Sequence, residues 1–166
     1  VVLQDFHIFA GSVLDNLQLG NPNITRADAI KAAHWVQAHD FIQALPEGYD
    51  TQLQERGQNL SQGQRQLLSF ARVLASDPEI LVLDEATASI DTETEQKIQT
   101  ALKHLTKGRT AILIAHRLQT IQGADRIVVL KHGEIREVGT HAELMRLRGL
   151  YYTLTQLQFQ DVSRSP

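Results

Sequence analysis

Hydrophobic and polar residues follow two periods along this chain, and the two periods alternate. Short apolar runs bounded by polar residues predict buried strands at residues 80–83 and 110–115. Apolar residues that recur every three or four positions predict helices over Gln62–Ala75 and from Thr92 to about Gly108. Strands that alternate with helices indicate the α/β fold class.

The remaining segments predict shorter elements. Capping-box pairs mark helix starts at Thr25, whose helix is expected to reach about Ala38, and at Thr140. Trp35 and Phe41 are expected in the core of this helical part. We also expect short helices at 12–17 and 40–45, a hairpin at 127–138, and an amphipathic tail at 151–159 after a break at Gly149.

The start of the helix at Gln62 carries the first chemical feature. Ser61 precedes this helix and Gln64 stands three positions after Ser61, which is the arrangement of a capping box. The first N–H groups of a helix have no partner within it and favour anions, and Gly63 lets a ligand approach the backbone without meeting a Cβ. A capping box is usually only a cap, so the spacing alone makes phosphate binding the less common interpretation.

Two carboxylates, Asp84 and Glu85, directly follow the first predicted strand. Ligands of open α/β sheets bind at the carboxyl ends of the strands, where one carboxylate can hold Mg²⁺ and its neighbour can orient a water. The second predicted strand brings His116 to the same edge of the sheet. Its position makes a functional role for His116 as plausible as a structural one.

Composition restricts the class of protein. The net charge of −3 shows no basic excess, so no nucleic-acid partner is expected. Without cysteine the chain has neither disulfides nor thiol catalysis, and no apolar run approaches the roughly 20 residues that span a bilayer. The histidines other than His116 lack zinc-ligand spacing, and His34 and His39, five positions apart, do not fit one helical face.

Six motifs, in order along nearly the whole chain, resemble those of ATP-binding-cassette ATPases, in particular those of exporters. They are Gln4-Asp5 as the Q-loop, Glu55-Arg56-Gly57 as the E-R-G stretch, Leu60–Gln64 as the signature, Ile80–Glu85 as Walker B, Ser89–Asp91 as the D-loop, and His116 as the switch histidine. Two positions depart from the pattern. Gln62 and Gln54 stand where the family more often has glycine.

The resemblance implies roles for these residues in ATP hydrolysis. Asp84 would hold Mg²⁺ largely through water, Glu85 would be the general base, and His116 would bond the γ-phosphate. Gln4 would lie near the Mg²⁺ and the attacking water and would sense a transmembrane domain. The nucleotide-binding residues would be Ser61, Gln62, Gly63, Gln64 and Asp91, with the signature acting on ATP held by a partner domain.

The resemblance also implies an architecture, a P-loop NTPase-like parallel sheet flanked by helices. A helical signature subdomain would span about residues 12–75, the Walker B and C-terminal part 76–160, and a polar tail 161–166. The apolar residues at Val1 predict that the sequence starts within a strand, and the sequence contains no G-x-x-x-x-G-K-[ST] loop. We therefore expect a fragment of the ATPase domain that lacks the phosphate-binding loop and is inactive alone.

The implied partners are a second ATPase domain, identical or different, and the transmembrane domain of the same transporter. The implied location is the cytoplasmic face of the cell membrane. Two alternatives remain open at this point. One is the ATPase domain of a DNA-repair or chromosome-maintenance protein, which would need coiled coils that the sequence does not show. The other is a non-catalytic interaction fragment.

Overall fold

The structure, a computed structural model, describes residues 7–85, 92–115 and 118–162. These residues belong to two compact units, and the chain passes from the first to the second between Ile114 and Ala115. The subdomain boundary that the sequence places after residue 75 stays a prediction.

The first unit combines helices with short strands. Its strands are β1 (Gly11–Ser12) and β2 (Gln52–Leu53), which pair antiparallel, and β3 (Ile80–Glu85) and β4 (Thr110–Ala115). Its helices are α1 (Val13–Gln18), α2 (Arg26–Trp35), α3 (His39–Gln43), α4 (Gln62–Ala75) and α5 (Thr92–Thr106). Capping boxes begin α1, α2 and α4, as the spacing at Thr25 and Ser61 predicts.

Helix α4 lies at the centre of this unit and packs against α1, α2 and α5. Its apolar stripe is buried, as its helical spacing requires, and the same holds for the core-facing residues of α5. The residues that form this shared core include Leu67, Leu68, Ala71 and Leu74 of α4 and Ile98, Leu102 and Leu105 of α5.

Strands β3 and β4 are hydrogen-bonded neighbours. The N–H of Thr110, at the start of β4, donates to the carbonyl of Glu79, which immediately precedes β3, at 3.3 Å. Both strands therefore start at one edge, run in the same direction and end at the opposite edge. Leu81 and Leu83 of β3 are buried on the side of α4 and α5. The parallel arrangement predicted for these strands is confirmed.

Helix α2 ends earlier than the sequence predicts. It stops at Trp35, because Gln37 has a φ of 58° in the left-handed region, which a helix cannot continue through. The expectation that Trp35 belongs to the core is wrong, since its side chain is 45% exposed. The core side of α2 is formed instead by alanines, and Lys31 Nζ lies 5.5 Å from the Trp35 ring centroid as a cation–π contact. Phe41 is partly buried against the core.

The second unit is a hairpin with helices. It contains α6 (Leu118–Ile121), β5 (Ile127–Lys131), β6 (Glu134–Gly139), α7 (His141–Leu147) and α8 (Leu150–Val162). The tight turn has positive φ at both His132 and Gly133, as a type I′ hairpin turn requires. Gly149 separates α7 from α8, which confirms the predicted break.

A small core holds the second unit together, formed by Ile127, Val129, Leu144 and Tyr151. The carboxylate of Glu137 accepts a hydrogen bond from the Tyr151 N–H at 3.0 Å and so caps the start of α8. No helix in the described part of the chain has the length and apolar content needed to cross a bilayer.

Candidate functional site

The structure describes part of the predicted site. Ser61, Gln62, Gly63, Gln64 and Asp84 lie within the described residues, and of Glu85 only the backbone does. Gln4, Asp91 and His116 lie outside the described residues. Their roles therefore stay predictions.

The start of α4 has the geometry of a complete capping box. The N–H of Gln64 donates to Ser61 Oγ at 3.2 Å, and the N–H of Ser61 donates to Gln64 Oε1 at 2.9 Å. The Gln64 amide is thus already engaged. Among the hydrogen bonds of the described residues, none uses the N–H of Gln62 or Gly63.

These two amides form the part of the helix start that is able to bind an anion. Gln62 is exposed whereas Gly63 is buried, so a ligand would reach the pair from the side of Gln62. The helix has 14 residues, long enough for its dipole to favour negative charge at this end. A phosphate group fits this arrangement better than a cation does.

The E-R-G turn, residues 55–57, lies directly before this helix start and contacts the segment that follows Gln4 in sequence. The N–H of Arg56 donates to the carbonyl of Ile8 at 3.0 Å. Gly57 has a φ of 60°, and a Cβ there would lie 3.1 Å from Ile8 Cγ1 and 3.2 Å from Arg65 Cδ. Glycine is required at this position both by the backbone conformation and by the close packing.

Arg65 fixes the passage from the E-R-G turn into α4. Its guanidinium donates to the carbonyl of Leu60 at 2.7 Å and to that of Gly57 at 3.3 Å. No role was predicted for Arg65 from the sequence. The helical spacing places it off the apolar face, but nothing in that spacing shows which carbonyls it bonds.

A second group that sequence reasoning missed is Asn16 with Arg72. Asn16 is 2% exposed and accepts a hydrogen bond from Arg72 Nη2 at 2.9 Å. The sequence contains a signal for Asn16, because it lies on the core-facing side of α1 between Val13 and Leu17, where a polar residue needs a partner. The sequence contains no corresponding signal for Arg72.

Asp84 lies half-buried at the carboxyl end of β3. Strand β4 ends at the same edge of the sheet at Ala115, one residue before His116 in sequence. The described residues contain no group of three or more His, Asp or Glu side chains that could hold a metal ion. A lone carboxylate still suits Mg²⁺, which keeps several waters and uses one or two carboxylates together with substrate phosphates.

Comparison with known proteins identifies the family of this chain. The family model described as "ABC transporter" matches residues 1–88. The chain belongs to the ABC transporter family, within its ATP-binding domain. It is 55% identical over 159 residues to the ABC transporter ATP-binding protein YknV of Bacillus subtilis, covering 96% of this chain and 26% of that protein.

Two further matches are a flippase and an exporter by name. The chain is 51% identical over 161 residues to the ATP-dependent lipid A-core flippase of Syntrophus aciditrophicus, covering 97% of this chain and 27% of the flippase. A solved structure of a bacterial Atm1-family ABC exporter with ATP bound superposes with a TM-score of 0.84 at 42% identity, over 93% of this chain and 27% of the exporter.

These relatives define the fold as that of an ABC exporter nucleotide-binding domain and lend no support to a DNA-repair ATPase or a non-catalytic protein. The chain spans about a quarter of the length of these two curated relatives. ATP binding and ATPase activity are general in this family.

Proposed function

We propose that this chain is part of the ATPase domain that drives export of a substrate across a membrane by an ABC transporter. The observation that carries the proposal is the start of α4, where the N–H groups of Gln62 and Gly63 lie within a completed capping box in the family's signature and have no hydrogen-bond partner among the described residues. This geometry suits the γ-phosphate of ATP.

The proposed hydrolysis relies on position and charge more than on covalent chemistry. Mg²⁺, held by Asp84 and Gln4, would neutralise charge on the phosphates. Glu85 takes a proton from the attacking water, and His116 donates to the γ-phosphate. Asp91 lies in the D-loop motif and contributes to the nucleotide site.

The proposed partners are a second ATPase domain, identical or different, and the transmembrane domain of the same transporter. The domain then works at the cytoplasmic face of the membrane. Closure of two such domains on ATP and their reopening after hydrolysis supply the change of shape that transport requires.

Replacement of Glu85 tests the chemistry in the intact transporter. Glu85→Gln should retain ATP binding and lower the hydrolysis rate by roughly 10² to 10⁴, the usual effect of removing a general base. Glu79→Gln is the matched control, because Glu79 is exposed and immediately precedes the start of β3. An unchanged kcat in Glu85→Gln would contradict the role of Glu85.

Mixed dimers test whether the signature acts on the partner's ATP. One protomer carries Gly63→Asp, which places charge and a side chain where phosphate approaches, and the other carries a broken phosphate loop. If the signature acts in trans, both lesions fall in one composite site, and the intact opposite site keeps ATPase activity. Activity no higher than in either mutant homodimer would argue for action in cis. Because Gly63 is buried, thermal unfolding of the variant must first show a folded domain.

A further inference from the structure

The guanidinium of Arg72 joins the signature helix to the segment that follows Gln4. Its Nε donates to the carbonyl of Asn16 at 2.8 Å, its Nη1 to the carbonyl of His7 at 2.8 Å, and its Nη2 to Asn16 Oδ1 at 2.9 Å. These partners lie 56 and 65 positions away in sequence. Every nitrogen of the planar group is used.

The acceptors of Arg72 are themselves fixed. Asn16 Nδ2 donates to the carbonyls of Phe9 and Ser12 at 2.9 and 3.1 Å, and the Phe9 N–H donates back to Asn16 Oδ1 at 3.0 Å. The Phe9 ring centroid lies 5.6 Å from the guanidinium carbon of Arg72. The segment 7–16 is therefore held to α4 by one connected network, defined here as the Arg72–Asn16 network.

The position of Arg72 argues against a direct role at the phosphates. It lies 11 positions after Ser61, which in a helix corresponds to about 16 Å along the axis. Burial removes water from the guanidinium of Arg72 and so lowers its pKa. The carbonyl acceptors offset the free-energy cost of this desolvation. A desolvated cation with this set of bonds fixes two elements relative to each other.

We propose that Arg72 is a positioning residue for ATP hydrolysis, which acts by holding the segment next to Gln4 in register with the signature helix. The proposal rests on the proposed function, because it assumes that Gln4 and the start of α4 both act on ATP. Loss of the Arg72–Asn16 network lets the segment 7–16 and the signature helix α4 move independently. Gln4 and the start of α4 then reach their catalytic positions less often, while ATP binding by the rest of the nucleotide site is unaffected.

The test is a double-mutant cycle in the intact transporter with Arg72→Met and Gln4→Ala. Arg72→Met should lower kcat about tenfold or more, since small misplacements of catalytic groups are costly, and should leave the Kd for ATP within about twofold. The double variant should be no slower than the slower single variant, because Arg72 acts on Gln4 only through the segment that follows it in sequence. Rates that fall multiplicatively would overturn the proposal.

Two further variants separate positioning from general stability. Arg72→Lys keeps the charge but cannot bond three acceptors in one plane, so it should stay impaired although folded. Full activity of Arg72→Lys would overturn the proposal, as would a loss of activity in Arg72→Met that only follows its loss of folded protein. Arg26→Met is the matched control, because Arg26 forms an exposed ion pair with Asp50 in the same unit.

The outcomes also separate this proposal from the proposed function. A wild-type transporter without ATPase activity would contradict the proposed function and the role of Arg72 together, whereas activity that persists in Glu85→Gln would contradict only the role of Glu85. Normal wild-type activity that is lost in Glu85→Gln but unchanged in Arg72→Met would contradict the positioning role alone.

Discussion

At the scale of single residues, Gly57 shows how closely the E-R-G turn packs. A side chain there meets Ile8 and Arg65 in addition to the unfavourable positive φ. Gly57→Ala should therefore lower the free energy of unfolding by about 1–3 kcal/mol, measured by denaturant titration.

A matched variant separates the two causes of that loss. Gly20 has a similar φ of 69°, yet a Cβ there would meet nothing within 4 Å. Gly20→Ala should show only the backbone strain, about 1 kcal/mol. Equal losses in the two variants would mean that the contacts with Ile8 and Arg65 carry no cost.

The buried phenol of Tyr49 should make the free energy of unfolding depend on pH in the alkaline range. Burial raises the pKa of Tyr49 to about 12, and the nearby charge of Arg26 only partly opposes this rise. The phenol therefore stays protonated at neutral pH, and its oxygen lies 2.9 Å from Nδ1 of His39. In the unfolded chain a tyrosine ionises near pH 10, so unfolding releases a proton above that pH.

The stability that the neutral phenol contributes is thus complete below about pH 10 and is lost as the pH rises toward the folded pKa. Denaturant titrations of the wild type from pH 8 to 11 should show the free energy of unfolding falling at the upper end. In Tyr49→Phe the slope in this range should be smaller. Identical slopes would show that another group governs the alkaline loss.

At the scale of elements, the helix starts are stabilised by local caps. In α2 the N–H of Asp28 donates to Thr25 Oγ1 at 3.2 Å, and the N–H of Thr25 donates to the Asp28 carboxylate at 3.0 Å. Thr25→Ala should lower the free energy of unfolding by about 0.5–2 kcal/mol, whereas Thr25→Ser should retain most of it.

The contribution of this cap to the stability of the fold should depend on pH. Hydrogen bonds from Thr25 lower the pKa of Asp28, so the part of the cap that the Asp28 carboxylate forms contributes fully above the pKa of an unfolded aspartate, about 4, and is lost as the pH falls below it. The difference in thermal unfolding between the wild type and Thr25→Ala should therefore be smaller at pH 3 than at pH 7. A difference that stays constant over this range would show that the carboxylate does not take part.

Helix α4 combines three tasks along its length. Its start carries the two amides proposed to bind an anion, its apolar stripe joins the core, and Arg72 near its end holds the segment 7–16. Because a helix is stiff over this length, a displacement at Arg72 can reach Ser61. The positioning proposal depends on this property of the element.

At the scale of the whole molecule, the chain contains a signature but no phosphate-cradling loop. We predict that the purified 166-residue chain does not hydrolyse ATP, because nothing in its sequence cradles the β- and γ-phosphates. Phosphate release should equal that of a parallel preparation of Glu85→Gln. Mg²⁺-dependent turnover that is absent from the Glu85→Gln preparation would contradict this prediction.

Much of this fold and part of its site could be predicted from the sequence. The starts of α2 and α4 were predicted at the right residues, because a capping box joins positions only three apart. The strands and the position of Asp84 at the end of β3 followed from continuous apolar runs, which reflect burial directly.

Only the tertiary structure determined which residues from distant segments contact each other. The turn at Gln37 brings α3 back onto α2 and stacks the rings of His34 and His39 with centroids 3.7 Å apart, which their spacing on a continuous helix would not allow. Trp35 is exposed because the alanines of α2 form its core face. Arg72 finds its acceptors 56 and 65 residues away. Local hydrogen bonds and burial leave a periodic pattern in a sequence, whereas the pairing of distant polar groups depends on how the elements pack.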